Sequence, residues 1–361
     1  MLAFKEKIWI VATGIVIGAA GVFLVAQGNP PNMGVCVACF LRDTAGALGL
    51  HGASPVQYLR PEIAGFVIGA FILAFLRREW AQSGQSASGG VLVRFTIAFF
   101  IMLGCLVFLG CPLRMALRVA AGDLNAVIGL LGFFVGAGGA AFALKKGFSL
   151  GVSNETCSIA SRRTNALIIP AFAVIILVLL FAAPSFIKFS ESGVGVAHAP
   201  AILALIIAIV IGALCHQSGF CISGGFRDIV LLKNGWSFAG YAAIIVAALI
   251  GNLIVGKFNL GFEGQPIAHS EALWNFLAMA LVGYGSVLIG GCPLRQLIKA
   301  GQGDSNAGLC IVAFILAGAT AHNFGVAASP AGVPLNGKIA VIAGLILITV
   351  FVVFSRKAKT A

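Results

Sequence analysis

The sequence predicts an all-α polytopic membrane protein of about ten spans, arranged as two inverted five-helix repeats with re-entrant or broken helices carrying its motifs. Three observations predict this. Sixty per cent of the 361 residues are hydrophobic and 9% are charged, against about a quarter charged in an ordinary soluble domain. Long charge-free runs recur, among them Ile8–Leu41, Leu124–Leu144, Ser192–Phe226 and Ser305–Gly337. Polar motifs that are expensive at lipid depth occur twice, in the same order.

A helix satisfies its own backbone inside hydrocarbon and needs about 20 apolar residues to cross it. Ten segments qualify, at about 8–26, 61–77, 92–110, 124–144, 164–184, 199–215, 238–255, 271–290, 307–324 and 338–355. Lys5 and Lys7 precede the first run as in a signal peptide. That run is too long for an h-region and nine spans follow, so it reads as an uncleaved first helix. The stretch Ala81–Gly90, "AQSGQSASGG", reads as a flexible cytoplasmic loop.

Topology accounts for most of the net charge of +12. With both termini cytoplasmic, twelve basic residues fall inside and four, Arg60, Lys188, Lys257 and Lys338, fall outside, as the positive-inside rule requires. The other seven lie in the duplicated motifs. The expected setting is therefore the inner (plasma) membrane, multi-pass, with the lipid bilayer as a partner and no nucleic acid needed to explain the charge.

The duplication divides the chain into a first membrane repeat, 1–184, and a second, 185–361, within one integrated transmembrane domain. At an offset of 185, Gly34, Cys36, Arg42 and Asp43 fall on Gly219, Cys221, Arg227 and Asp228. At an offset of 181, the run Gly110-Cys111-Pro112-Leu113-Arg114 falls on Gly291-Cys292-Pro293-Leu294-Arg295, and Gly122, Asp123 and Asn125 fall on Gly303, Asp304 and Asn306. Chance similarity between apolar helices does not reproduce polar residues in order. Five spans per half would make the halves enter from opposite sides, an architecture widespread among transporters.

The motifs carry the chemistry. Proline after cysteine stands where a helix begins, since its fixed φ is preorganised and its missing N–H costs nothing there. The free N–H groups of that first turn attract an anion. Cys111 and Cys292 then offer thiols, and Arg114 and Arg295 a positive field, to an anion with a soft atom; Cys36 and Cys221 are read the same way. The repeated acids Asp43, Asp123, Asp228 and Asp304 stand near enough to neutralise the four arginines, so pairing competes with substrate contact. Pairing is expected foremost for Arg42 and Arg227, and substrate contact for Arg114 and Arg295. Cys36-x-x-Cys39 invites a redox or zinc reading, but there is no second such pair and the histidines show no ligand spacing, so no metal and no cofactor are expected. Cys39, Cys105, Cys157, Cys215 and Cys310 lack repeat partners and read as packing residues. Glu62, after Pro61 at the start of a span, reads as a helix-capping acid rather than a proton carrier.

Together, Cys221-x4-Phe226-Arg227-Asp228, the glycine-flanked cysteines of "GCPLR" and the duplication resemble the YeeE/YedE sulfur-transport family over nearly the whole chain. They are most similar to its YedE-type branch, proposed to carry selenium compounds. The resemblance implies an hourglass-shaped inner-membrane protein, not an enzyme, in which essential cysteines pass thiosulfate through a central constriction. By matching motifs those cysteines would be Cys36, Cys111, Cys221 and Cys292. The expected function is uptake of a small sulfur- or selenium-containing anion, with a small cytoplasmic sulfur- or selenium-carrier protein as a partner. Two alternatives stand beside it: a membrane thiol-disulfide oxidoreductase using Cys36 and Cys39, and a general anion channel whose cysteines only pack.

Overall fold

The computed structural model describes residues 4–81, 90–150 and 159–355. Most of the Ala81–Gly90 loop, and Cys157, lie outside the described residues. Fourteen α-helices follow one another: α1 (Phe4–Ala26), α2 (Val37–Ala47), α3 (Pro61–Leu76), α4 (Val91–Phe108), α5 (Pro112–Ala120), α6 (Leu124–Lys145), α7 (Ile159–Ala182), α8 (Ala201–Ser218), α9 (Ile222–Leu232), α10 (Trp236–Ile254), α11 (Ala272–Leu288), α12 (Pro293–Gly301), α13 (Ser305–Asn323) and α14 (Leu335–Phe354). Ten candidate membrane spans are found among the described residues. Helices α2, α5, α9 and α12 are too short to cross, and each carries one motif.

Local chemistry explains the short helices. Cys111 and Cys292 are extended N-caps, and Pro112 and Pro293 open α5 and α12. Each of these two helices ends where Gly122 (φ 93) or Gly303 (φ 91) takes the left-handed conformation that favours glycine. Asp123 and Asp304 then cap α6 and α13 through the backbone N–H groups of Asn125 and Asn306. The repeated Gly-Asp-x-Asn is thus a helix stop followed by a helix start.

Both halves run long, short, long, long, short, long, long. The halves are interlocked rather than side by side: α1 packs on α10, α3 on α8 and α6 on α11. The short helices also reach across, α2 to α13, α9 to α6, α5 to α10 and α12 to α3. Swapping the halves maps these contacts onto one another, with α6 on α11 answered by α13 on α4. The last helices depart from that exchange, since α7 lies on α3 whereas α14 lies on α4 and α11.

Glycines at four-residue spacing make the long interfaces close. A Cβ at Gly132 or Gly136 would run into the carbonyls of Phe276 and Ala280, and one at Gly14 or Gly18 into those of Gly240 and Ile244. Between apolar helices in lipid, where burial gives little net drive, such close backbone contact supplies the attraction. Large apolar side chains such as Ile175, Val178 and Phe181 face outward instead, as a lipid-facing surface requires.

Candidate functional site

The four motif cysteines occupy one structural position each: Cys36, Cys111, Cys221 and Cys292 are the N-caps of α2, α5, α9 and α12. The sulfurs of Cys36 and Cys221 turn back into their own helices, accepting from Cys39 N–H at 3.4 Å and from Gly224 N–H at 3.2 Å. Two pairs result. Cys36 Sγ lies 3.9 Å from Cys111 Sγ. Cys292 lies beside the backbone N–H groups of Leu294, Arg295 and Ser223 and within electrostatic reach of Cys221.

Residues that sequence reasoning passed over bring the pairs together. Tyr241 of α10 is wholly buried, its hydroxyl meets Pro112 O at 3.3 Å, and its electrostatic neighbours are Cys111 and Cys292, one from each pair. Cys105, read as a packing residue, has Cys36, Cys39 and Cys292 as electrostatic neighbours, and Cys215 has Arg295 and Cys221. One signal for Cys105 was present: at the offset of 181 it falls on Ser286, each directly after a glycine. Ser286 is likewise buried, and its hydroxyl has no partner. Tyr241 left no such trace, since it belongs to neither duplicated motif.

The charged residues fall into pairs that differ from the simplest sequence assignment. Arg42 meets Asp43 at 2.6 Å and Arg60 meets the other carboxylate oxygen at 2.9 Å. Arg227 meets Asp228 at 2.7 Å. Asp123, however, pairs with Arg118 at 2.6 Å rather than with Arg114, and Asp304 with Lys299 at 2.9 Å rather than with Arg295. The reason is reach: α5 and α12 end directly after Arg118 and Lys299, so the chain turns each capping aspartate back onto the last basic residue.

That leaves Arg114 and Arg295 free of carboxylates, in unlike surroundings. Arg114 is fully buried; Nε donates to Asn32 O, Nη2 to Ile267 O, and Nη1 to Leu109 O and Cys39 Sγ. Arg295 is partly exposed, and its buried Nη1 has no partner. A cavity of about 220 Å³ is lined by Asn29, Asn252, Lys257 and the Asn32 that Arg114 holds, among others, and the Nδ2 of Asn32 is a buried donor without a partner among the described residues. A cation and amide donors around a void suit an anion. Among the described residues, no group of three or more His, Cys, Asp or Glu side chains is arranged to hold a metal ion.

Two comparisons bear on this arrangement. Residues 217–359 match the family described as sulphur transport. The match begins just before Cys221 and runs through α14, so it spans the second set of short helices and their flanking spans. The chain is also 31% identical over 103 residues to the thiosulfate transporter TsuA of Escherichia coli (strain K12), covering 27% of this chain and 28% of that protein. The chain thus matches little more than a quarter of that relative's length. Both comparisons name transport of sulfur compounds and neither names an enzyme; neither bears on selenium.

Proposed function

We propose that this protein carries a small anion of reduced sulfur or selenium, thiosulfate foremost, inward across the plasma membrane, the anion's soft atom being handed between thiols of the two halves. The observation that carries this reading is the contact of two N-cap cysteines, Cys36 with Cys111 at 3.9 Å, with Cys292 in electrostatic reach of Cys221 and the buried Tyr241 in reach of both Cys111 and Cys292. Thiols are weak hydrogen-bond partners, and a permeating ion needs successive sites weak enough to leave. The charge of the anion meets Arg295 and the N-terminal turns of α5 and α12, while Arg114 holds the first turn in shape.

In this reading 1–184 and 185–361 are inverted repeats: five candidate spans fall in each, and the helix order repeats. Basic-residue asymmetry puts both termini in the cytoplasm, which sets Cys36 and Cys111 towards the outside and Cys221 and Cys292 towards the inside. A dianion moving in against an inside-negative potential meets about 2.3 kcal/mol per charge per 100 mV. Net uptake therefore needs a coupled cation or consumption of the anion inside, for which a cytoplasmic sulfur- or selenium-carrier protein is the fitting partner.

The test is uptake of labelled thiosulfate and of selenite by proteoliposomes, with Cys36, Cys111, Cys221 and Cys292 each replaced by serine. Loss of uptake in Cys111→Ser and Cys292→Ser with normal folding supports a thiol route. Unchanged uptake in both makes the cysteines packing residues and the protein a general anion channel. Selenite carried in preference to thiosulfate would assign the selenium branch. A Cys36–Cys39 pair that cycles to a disulfide under thiol trapping would instead favour the oxidoreductase.

A further inference from the structure

The acidic side chains buried in the helix bundle mostly have basic partners. Asp43 meets Arg42 and Arg60, Asp123 meets Arg118, and Asp304 meets Lys299. Glu62, in the first turn of α3, forms no ion pair. It is 1% exposed, its Oε1 accepts from Asn29 Nδ2 at 2.8 Å, its own backbone N–H lies by the carboxyl, and among the described residues no other group bonds Oε2. Arg60 does not serve it, because Nε is committed to Asp43 and the two Nη atoms donate to Ala197 O and Val194 O. The other titratable groups facing it are Asp43 on α2 and Tyr58 on the loop before α3, with His198 stacked on Tyr58 at 4.3 Å. Arg60 stands within electrostatic reach of Glu62 without touching it, and an intramembrane carboxyl with no basic contact is expensive to keep charged; such residues mark ion and proton routes. The helix-capping role read from the sequence accounts for its place on α3 but not for the idle oxygen.

Its position ties it to the anion's entrance. Asn29 binds Glu62 and also donates to Gly34 O at 2.8 Å, two residues before Cys36. The Oδ1 of Asn29 accepts from Ala199 N–H at 2.8 Å, so one amide clamps the carboxyl, the Cys36 loop and the start of the second half. The same Asn29 lines the cavity that Asn32 and Lys257 share. An ionised Glu62 would repel an anion in that cavity across poorly screening surroundings, whereas a protonated one removes the repulsion and gives Oε2 a proton to donate.

We propose that Glu62 is a proton-binding site linked to anion entry, the anion occupying the Asn29–Lys257 cavity when Glu62 is protonated on Oε2 by water from the same face. The inference rests on the transport reading above and adds its pH linkage. The sign follows: entry is favoured as pH falls, and the gain is lost as pH rises through the pKa of Glu62.

The test is the initial rate of thiosulfate uptake by proteoliposomes at external pH from about 8 to about 5.5, with internal pH fixed and the potential clamped. Thiosulfate stays a dianion over this range, so the protein alone titrates. One linked proton gives up to about a tenfold rise per pH unit of acidification while the pH is above the pKa of Glu62, levelling off below it. The wild type should show such a rise, Glu62→Asp should keep it, and Glu62→Gln, whose Oε1 still accepts from Asn29, should be fast and flat. A flat wild type, or a slope retained in Glu62→Gln, overturns the proposal while leaving transport standing. Wild type that carries no thiosulfate removes the transport reading and this inference with it. Should Glu62→Gln not fold, the decisive measurement is proton uptake by solubilised wild type on adding thiosulfate, read with a pH dye. Uptake of protons supports the proposal, and none overturns it.

Discussion

The two copies of Gly-Cys-Pro-Leu-Arg begin from the same five residues and end in different electrostatic states. In the first copy Arg114 uses four of its donors on Asn32, Ile267, Leu109 and Cys39, and Arg118 is sealed against Asp123 with neither side chain exposed. In the second copy Arg295 keeps an unpartnered donor, and Lys299 meets Asp304 with 27% and 10% of their side chains exposed. The two Arg-Asp segments differ in the same sense: Arg42–Asp43 is buried and reinforced by Arg60, while Arg227 is 37% exposed and stands alone on Asp228. The same five residues thus stand in two settings, one arginine walled in by backbone acceptors and the other with a donor unused among the described residues.

The contrast can be broken at several points. The largest effect is expected for Arg118→Ala, which strands Asp123 as a buried charge and should cost about 3–5 kcal/mol, read as loss of folded, monodisperse protein on heating in detergent. Arg114→Ala should come next, at about 3 kcal/mol, because it leaves one buried and two part-buried carbonyls without their donor; the same melt reads it. Arg295→Ala should barely change the melting temperature yet lower thiosulfate uptake about tenfold, equivalent to about 1.4 kcal/mol. If Arg114→Ala and Arg295→Ala behaved alike in both assays, the division into wall and contact would fail. Lys299→Ala, the counterpart of Arg118→Ala, should cost no more than about 1 kcal/mol.

The smallest effect concerns Glu271, at the start of α11. The Lys338 ammonium at 2.8 Å and the Val333 N–H hold its carboxyl below the usual carboxylate range. A depressed carboxylate stabilises the fold at neutral pH, and that contribution is lost as pH falls through its folded-state pKa. Lys338→Met should therefore lower stability slightly near neutrality and flatten its loss on acidification below about pH 4.5, measured by melts across that range.

Much of the frame was legible because lipid imposes simple rules. Ten apolar runs of spanning length gave the long helices to within a few residues, and Cys-Pro and Gly-Asp-x-Asn marked where α5, α6, α12 and α13 start. The partners of the aspartates were not legible in the same way. Arg114 and Arg118 stand one turn apart, and only the sharp end of α5 decides that Arg118 reaches Asp123. Tyr241 and Cys215 lay beyond reach for another reason, since a polar group outside the duplicated motifs announces nothing about which neighbours it will meet. The cavity at Asn29, Asn32 and Lys257 joins residues from both halves, so neither segment predicts it by itself.

The interlocked packing of α1 with α10, α3 with α8 and α6 with α11 has a consequence for biogenesis. While the ribosome is still synthesising the second half, the glycine faces of the first five spans have no permanent mate and must wait in the bilayer, held by lipid or by a chaperone. A chain truncated near residue 184 would therefore never bury those faces and would be cleared by membrane proteases, whereas the two halves made as separate polypeptides in one cell should find each other and assemble.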